Sequence, residues 1–230
     1  MKILFSKRGH PRTAKEIKTC VESFGGGYNR IVCRVIESSE DGLNKDVFRQ
    51  NVAILMPNFL MTRAGPFKGV AFIHGIVKDS KGQIAACWDV IGERTVQLRG
   101  FVDEQRPGSR TRGLVEMSRT AQEEVASELW HLLNRLSPVC WTENSFGLVG
   151  ASKVLFAVLP EVALPVDNAE WKKVFRTIDY RDIITTMAEE IREWEKRTKT
   201  KLDSCDPHSC LTLPGIYNVM AMKARPKAKK

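Results

Sequence analysis

The apolar period of this chain changes once, at the polar connector 104–113 (EQRPGSRTRG), and that change limits the folds open to it. Before the connector, short runs rich in Val, Ile and aromatic residues are bounded by Gly, Pro and Asp, the pattern of strands. KILF (2–5), YNRIVCRVIES (28–38, with Ile31, Cys33 and Val35 on one face), NVAILMP (51–57) and TVQLRGFV (95–102) read this way. VAFIHGIVK and QIAACWDVI (70–91) flank DSKG, whose leading Asp and closing Gly fit a four-residue hairpin turn. Thr13 is placed to cap a short helix through Phe24, which the glycines at 25–27 then end.

After the connector the period becomes helical. Ser118 or Thr120 starts a helix to about Leu136, with Val125, Leu129, Leu132, Leu133 and Leu136 on one side. Ser145 begins a second that ends at Pro160, and Asp167 with Glu170 forms a capping box for a third. Asp179 caps a fourth, striped by Ile183, Ile184, Met187, Ile191 and Trp194, and Thr212 with Pro214 opens a last helix near 213–222. The reading is an α+β chain: an N-terminal antiparallel β-rich unit over 1–110, a C-terminal helical unit over 114–222, and a disordered basic tail over 223–230.

Charge is placed as unevenly as period. The formal net charge is +9 over 230 residues. Residues 1–113 hold 19 basic against 11 acidic side chains, 114–222 hold 12 against 16, and KARPKAKK (223–230) adds five cations. A basic first half and tail against an acidic helical body point to a polyanionic partner, nucleic acid and DNA foremost. Arg106, Arg110 and Arg112 lie in the connector with no acid among them, and guanidinium forks match phosphate oxygens. Lys227 and Lys229 extend the argument into the tail, as salt-dependent and sequence-independent contacts. Of the five tryptophans, Trp130 and Trp194 fall at core spacing, which leaves Trp141, and with it Tyr28, near loops where a ring is free to stack on a base.

The stretch SFGLVGASKVLFAVLPEVALPVDNAEW (145–171) is similar to the core of the helix-hairpin-helix DNA glycosylase superfamily. In that superfamily a glycine hairpin leads into a helix bearing a lysine, and Pro-Val-Asp opens the next helix. The matching residues are Gly150, Lys153, Pro165, Val166 and Asp167; Lys153 follows Gly150 one residue later than is usual there, and Asp167 stands closer to it than usual. The resemblance implies DNA binding with base-excision chemistry: Lys153 as the amine that attacks the sugar C1′, Asp167 as the carboxylate that stabilises the developing sugar cation. The chemistry suits the residue types, since a lysine is nucleophilic only where its surroundings favour the neutral amine, and a helix start favours the anion. The alternative is a non-catalytic nucleic-acid-binding or interaction protein, in which Lys153 is an ordinary helix lysine and Asp167 a cap.

Other chemistries are disfavoured. The Cys205, His208 and Cys210 of CDPHSC supply at most three of the four ligands that zinc takes, so the segment reads as a turn begun by Asp206-Pro207. There is no phosphate-binding Gly-Lys loop, dinucleotide fingerprint or nucleophile elbow, and no metal or other cofactor is expected. No run approaches the roughly 20 apolar residues of a membrane helix, and MKILFSKRGH lacks the apolar stretch of a signal peptide. A cytoplasmic protein with its six cysteines as thiols is the expectation.

Overall fold

The computed structural model describes residues 2–5, 9–24, 26–105, 110–143 and 145–225. Its helices in chain order are α1 (Ala14–Phe24), α2 (Gly26–Ser38), α3 (Lys45–Asn58), α4 (Gln83–Gln105), α5 (Gly113–Glu116), α6 (Arg119–Leu136), α7 (Leu148–Val158), α8 (Tyr180–Thr198) and α9 (Leu213–Lys223). The strands among the described residues are β1 (Ala71–Ile73) and β2 (Ile76–Lys78), a small antiparallel ribbon paired Ala71 to Lys78 and Ile73 to Ile76. The fold is therefore helical on both sides of the connector. The α+β expectation, with a β-rich unit over 1–110, is overturned.

The reason lies in the period beneath the β-rich composition. Ile84, Cys87, Ile91, Thr95, Leu98 and Val102 are buried along α4 at steps of three and four, which only a helix places on one face. Phe48, Val52 and Leu55 do the same on α3, as Val32 and Val35 do on α2. DSKG is likewise no hairpin turn. The Asp79 carboxylate accepts from the backbone N–H groups of Gln83, Ile84 and Ala85 at 2.8–3.2 Å, so it caps α4. The hairpin turns instead at His74-Gly75, both at positive φ, as a two-residue loop matching the strands' twist requires. Residues 2–5 form no strand beyond an isolated bridge from Phe5 to Pro11.

Four of the helices expected from caps form with those caps, whereas the helix expected to begin at Ser145 starts at Leu148 after an uncapped Gly147. Thr13 and Glu16 make a reciprocal capping box at α1, and Ser118, Asp179 and Thr212 accept N–H bonds at the starts of α6, α8 and α9. One apolar cluster takes side chains from both sides of the connector, with α3 packed on α7 and α4 on α6. The N-terminal segment is tied to α8: Glu190 accepts from the Leu4 N–H and the Tyr217 hydroxyl, and Trp194 donates to the Arg12 carbonyl. Among the described residues no helix is long and apolar enough to cross a membrane.

Candidate active site

The turn between α6 and α7 sets the site. Gly147 closes it at φ +80, and a Cβ there would lie 1.9 Å from the Ser137 carbonyl oxygen, so only glycine fits. Phe146 beside it also has positive φ and stands exposed. Helix α7 is then buried on every side from Gly150 to Val158, a helix apolar nearly all round. Lys153 is the one charged residue in that span and is only 5% exposed.

The chain after α7 runs buried back along it and brings Asp167 to Lys153. The Ser152 hydroxyl accepts from the Val166 N–H at 3.1 Å, which sets the two neighbouring residues, Lys153 and Asp167, side by side. The Tyr180 hydroxyl, donating to the Leu164 carbonyl and accepting from the Leu164 N–H, holds the same stretch from α8. Lys153 Nζ lies 2.5 Å from Asp167 Oδ1, 3.7 Å from Met61 Sδ and 5.0 Å from the centre of the Phe59 ring. The Arg225 guanidinium, just beyond α9, reaches 2.5 Å from the other Asp167 oxygen. It also lies 3.2 Å from Glu170 Oε1, without the alignment of a hydrogen bond. Glu170 Oε2 accepts the Asp167 N–H at 2.7 Å, one half of the expected capping box. The Asp167 carboxylate is given to the two cations instead, and the segment it precedes is a single π-helical turn, Glu170–Phe175.

These groups wall a cavity of about 460 Å³. Its apolar side is Tyr28 and Phe59, its polar side Asn58, Asn218 and Glu170. Tyr28 packs edge-on to Phe24 and Phe59 and accepts a 3.3 Å bond from the Asn218 amide. Burial raises the Tyr28 hydroxyl, the Asn218 bond only partly offsetting it. Burial would also raise Asp167, but the charges and hydrogen bonds of Lys153 and then Arg225 hold it below its usual value. Glu170 goes the other way. Burial pushes it up to about 7, against the Asp167 N–H bond and the Arg225 charge. The cavity thus holds one fixed carboxylate and one that titrates near neutrality.

Of the expected site residues, Lys153 and Asp167 meet. Trp141 lies half-exposed on the α6–α7 turn. Arg112 offers no surface fork: it is 5% exposed and bonds Glu116, Glu195 and Asp203 at 2.7–3.0 Å. Arg106, Lys227 and Lys229, and the Arg110 side chain, lie outside the described residues. The tail begins later than 223, because Lys223 ends α9 and Arg225 is built into the cavity. Arg225, Glu170 and Asn218 were not foreseen as site residues. By position Arg225 falls among the tail's charges, although the apolar run of α9 just before it marks where the packed chain continues.

The cysteines also differ from expectation. Cys33 on α2 and Cys210 before α9 are joined by a disulfide, while Cys20, Cys87, Cys140 and Cys205 are free. Cys210 is thereby withdrawn from the Cys205, His208 and Cys210 trio. The Asp206 carboxylate organises that segment as a turn, accepting from the N–H groups of His208, Cys210 and Leu211.

No protein-family model, characterised protein or solved structure matches this chain.

Proposed function

We propose that the protein binds DNA and carries out base-excision chemistry of the glycosylase/lyase type at Lys153 and Asp167. The reading is carried by one observation: a buried lysine amine paired with a carboxylate on the wall of a cavity large enough for a small planar ligand. Gly147, at the start of α7, is about 9 Å along the helix from Lys153 at 1.5 Å per residue. The exposed Phe146 and Trp141 of the same turn offer apolar surface near the site.

In this reading substrate entry separates the Lys153 nitrogen from Asp167. Lys153 then loses its proton, and Glu170, with a pKa near 7, is suited to take it. The freed lone pair bonds to the sugar C1′ as the glycosidic bond breaks, its electrons leaving with the base. Glu170 returns its proton to the departing base. One N–H proton of the new C1′–N bond passes to the ring oxygen as the C1′–O bond breaks with its electrons on oxygen. A ring-opened hydroxyl and a protonated Schiff base on Lys153 remain. Asp167, held anionic, stabilises the positive charge that builds on the sugar.

Borohydride tests this directly, because hydride reduces the C=N bond to a permanent link. The wild-type protein is expected to form a covalent adduct with duplexes carrying an abasic site or a damaged base, and Lys153→Ala to form none. No adduct on any such substrate would remove the excision reading. One observation favours a second reading, in which the protein binds nucleic acid or another partner without catalysis. Asp167, the Phe59 face and the Met61 sulfur together occupy the Lys153 amine, as a structural strut would.

A further inference from the structure

We infer that the Cys33–Cys210 disulfide is a redox latch on the Lys153–Asp167 cavity, and that its reduction loosens one wall. Only the importance of the cavity is borrowed from the functional reading above. The two walls belong to elements with different main packing partners. Helix α2, which carries Tyr28, packs on α3, whereas α9, which carries Asn218 and leads to Arg225, packs on α1 and on the segments 170–175 and 202–205. Across the gap between α2 and α9 run the hydrogen bond from Asn218 to Tyr28 and the disulfide.

The latch is placed to act on α9. Cys210 sits at the end of the turn folded around the Asp206 carboxylate, two residues before the Thr212 cap of α9. Arg225 at the far end of that helix is the second cation on Asp167 and the one beside Glu170. A shift of α9 therefore changes the charge environment of both carboxylates. Both cysteines are only partly buried, so a thiol reductant can reach them, while Cys87 and Cys140 are sealed in the core.

The exchange is balanced with a dithiol as reductant. Its thiolate attacks one sulfur, forming a mixed disulfide, and its second thiol resolves this. Two electrons and two protons pass to Cys33 and Cys210, and the reductant leaves as its own disulfide. The oxidised form has the preformed cavity. In the reduced form the Tyr28–Asn218 bond between the two walls loses its covalent companion, and α9 opens locally at lower cost.

Three measurements on the full chain decide the matter, with dithiothreitol as the reductant. In air-oxidised protein Cys33 and Cys210 should resist maleimide while Cys20 reacts, and both should label after reduction. Labelling of either without reductant would overturn the latch. Amide exchange over 213–225 should rise about tenfold on reduction, with α6 and α8 unchanged, the signature of local opening. Unchanged exchange over 213–225, or a rise spread evenly over the chain, would also overturn it. Cys33→Ser should match the reduced form and ignore dithiothreitol; should it fail to fold, titration of the wild type with reductant makes the same comparison. Borohydride trapping in the two redox states separates the two proposals. Slower trapping after reduction supports both, and equal trapping in the two states rejects the latch as a control of the site. An absence of trapping in either state, with exchange still responding, leaves the latch standing and removes the excision reading.

Discussion

Arg112 shows how a residue's type and its surroundings can point to different duties. In the sequence it is one of three arginines with no acid among them; in the fold it is buried against Glu116, one helical turn on, and against Glu195 and Asp203 from a distant part of the chain. Removing the buried guanidinium leaves three partly buried carboxylates facing one another without their shared cation. Arg112→Ala is expected to cost about 3 kcal/mol in urea unfolding, with little effect on DNA affinity measured at matched salt. Glu170 makes the opposite kind of statement. Its folded pKa of about 7 lies above its ordinary 4.5, so the folded protein holds an extra proton between those values. Stability therefore falls as pH rises from about 4.5 to about 7, by roughly 3 kcal/mol, and levels off above. Asp167, held low, contributes stability above its ordinary pKa that is lost as pH falls below it. The urea midpoint should accordingly be higher near about pH 5 than about pH 7.5, and Glu170→Gln should remove most of that difference. A flat wild-type profile would mean that the carboxyl is not buried as described.

At the scale of elements, the α6–α7 turn and the segment 159–167 are what make a site from two residues 14 apart in the chain. Gly147 is the narrowest point. With φ +80 and a carbonyl oxygen 1.9 Å from where a Cβ would stand, Gly147→Ala forces the turn open. A loss of about 2–4 kcal/mol is expected in thermal or urea unfolding, together with a displaced Lys153 and a loss of borohydride trapping. Gly100, exposed on α4 with nothing near its missing Cβ, is the control: Gly100→Ala should be neutral or slightly stabilising. The cap residues of α1, α6, α8 and α9 were legible in the sequence because capping is local, a side-chain oxygen meeting an N–H two or three residues on. The Asp79 cap is not legible from DSKG itself, because Asp at the start and Gly at the end also suit a hairpin turn, and only the helical period of residues 84–102 separates the two. The resemblance points to Gly150, but the turn depends on Gly147; a Cβ at Gly150 would meet Cys140 at 2.9 Å, a matter of close packing and not of turn geometry.

At the scale of the whole molecule, the basic first half and tail are what make nucleic acid the proposed partner, and structure trims that argument. Arg112 and Arg225 are held by carboxylates inside the fold. Lys227, Lys229 and Lys230 remain beyond the cavity's last residue. Deleting residues 226–230 should lower the slope of log affinity against log salt by about 2–3, at some 0.9 per phosphate neutralised, while leaving trapping intact. An unchanged slope would take the tail out of DNA binding.

By itself the sequence determined the helices whose caps and 3.6-residue stripes agree, and the resemblance of 145–171 pointed to Lys153 and Asp167. Tertiary structure decided the rest. It turned β-rich runs into α2, α3 and α4, since helix packing against a shared core buries those residues more fully than an isolated ribbon can. It also brought Arg225 to Asp167 and Cys33 to Cys210, pairs separated by 58 and 177 residues. Local propensity acts over a few residues along the chain. Ion pairs, cavities and disulfides depend on distances in space that exist only once the core has closed.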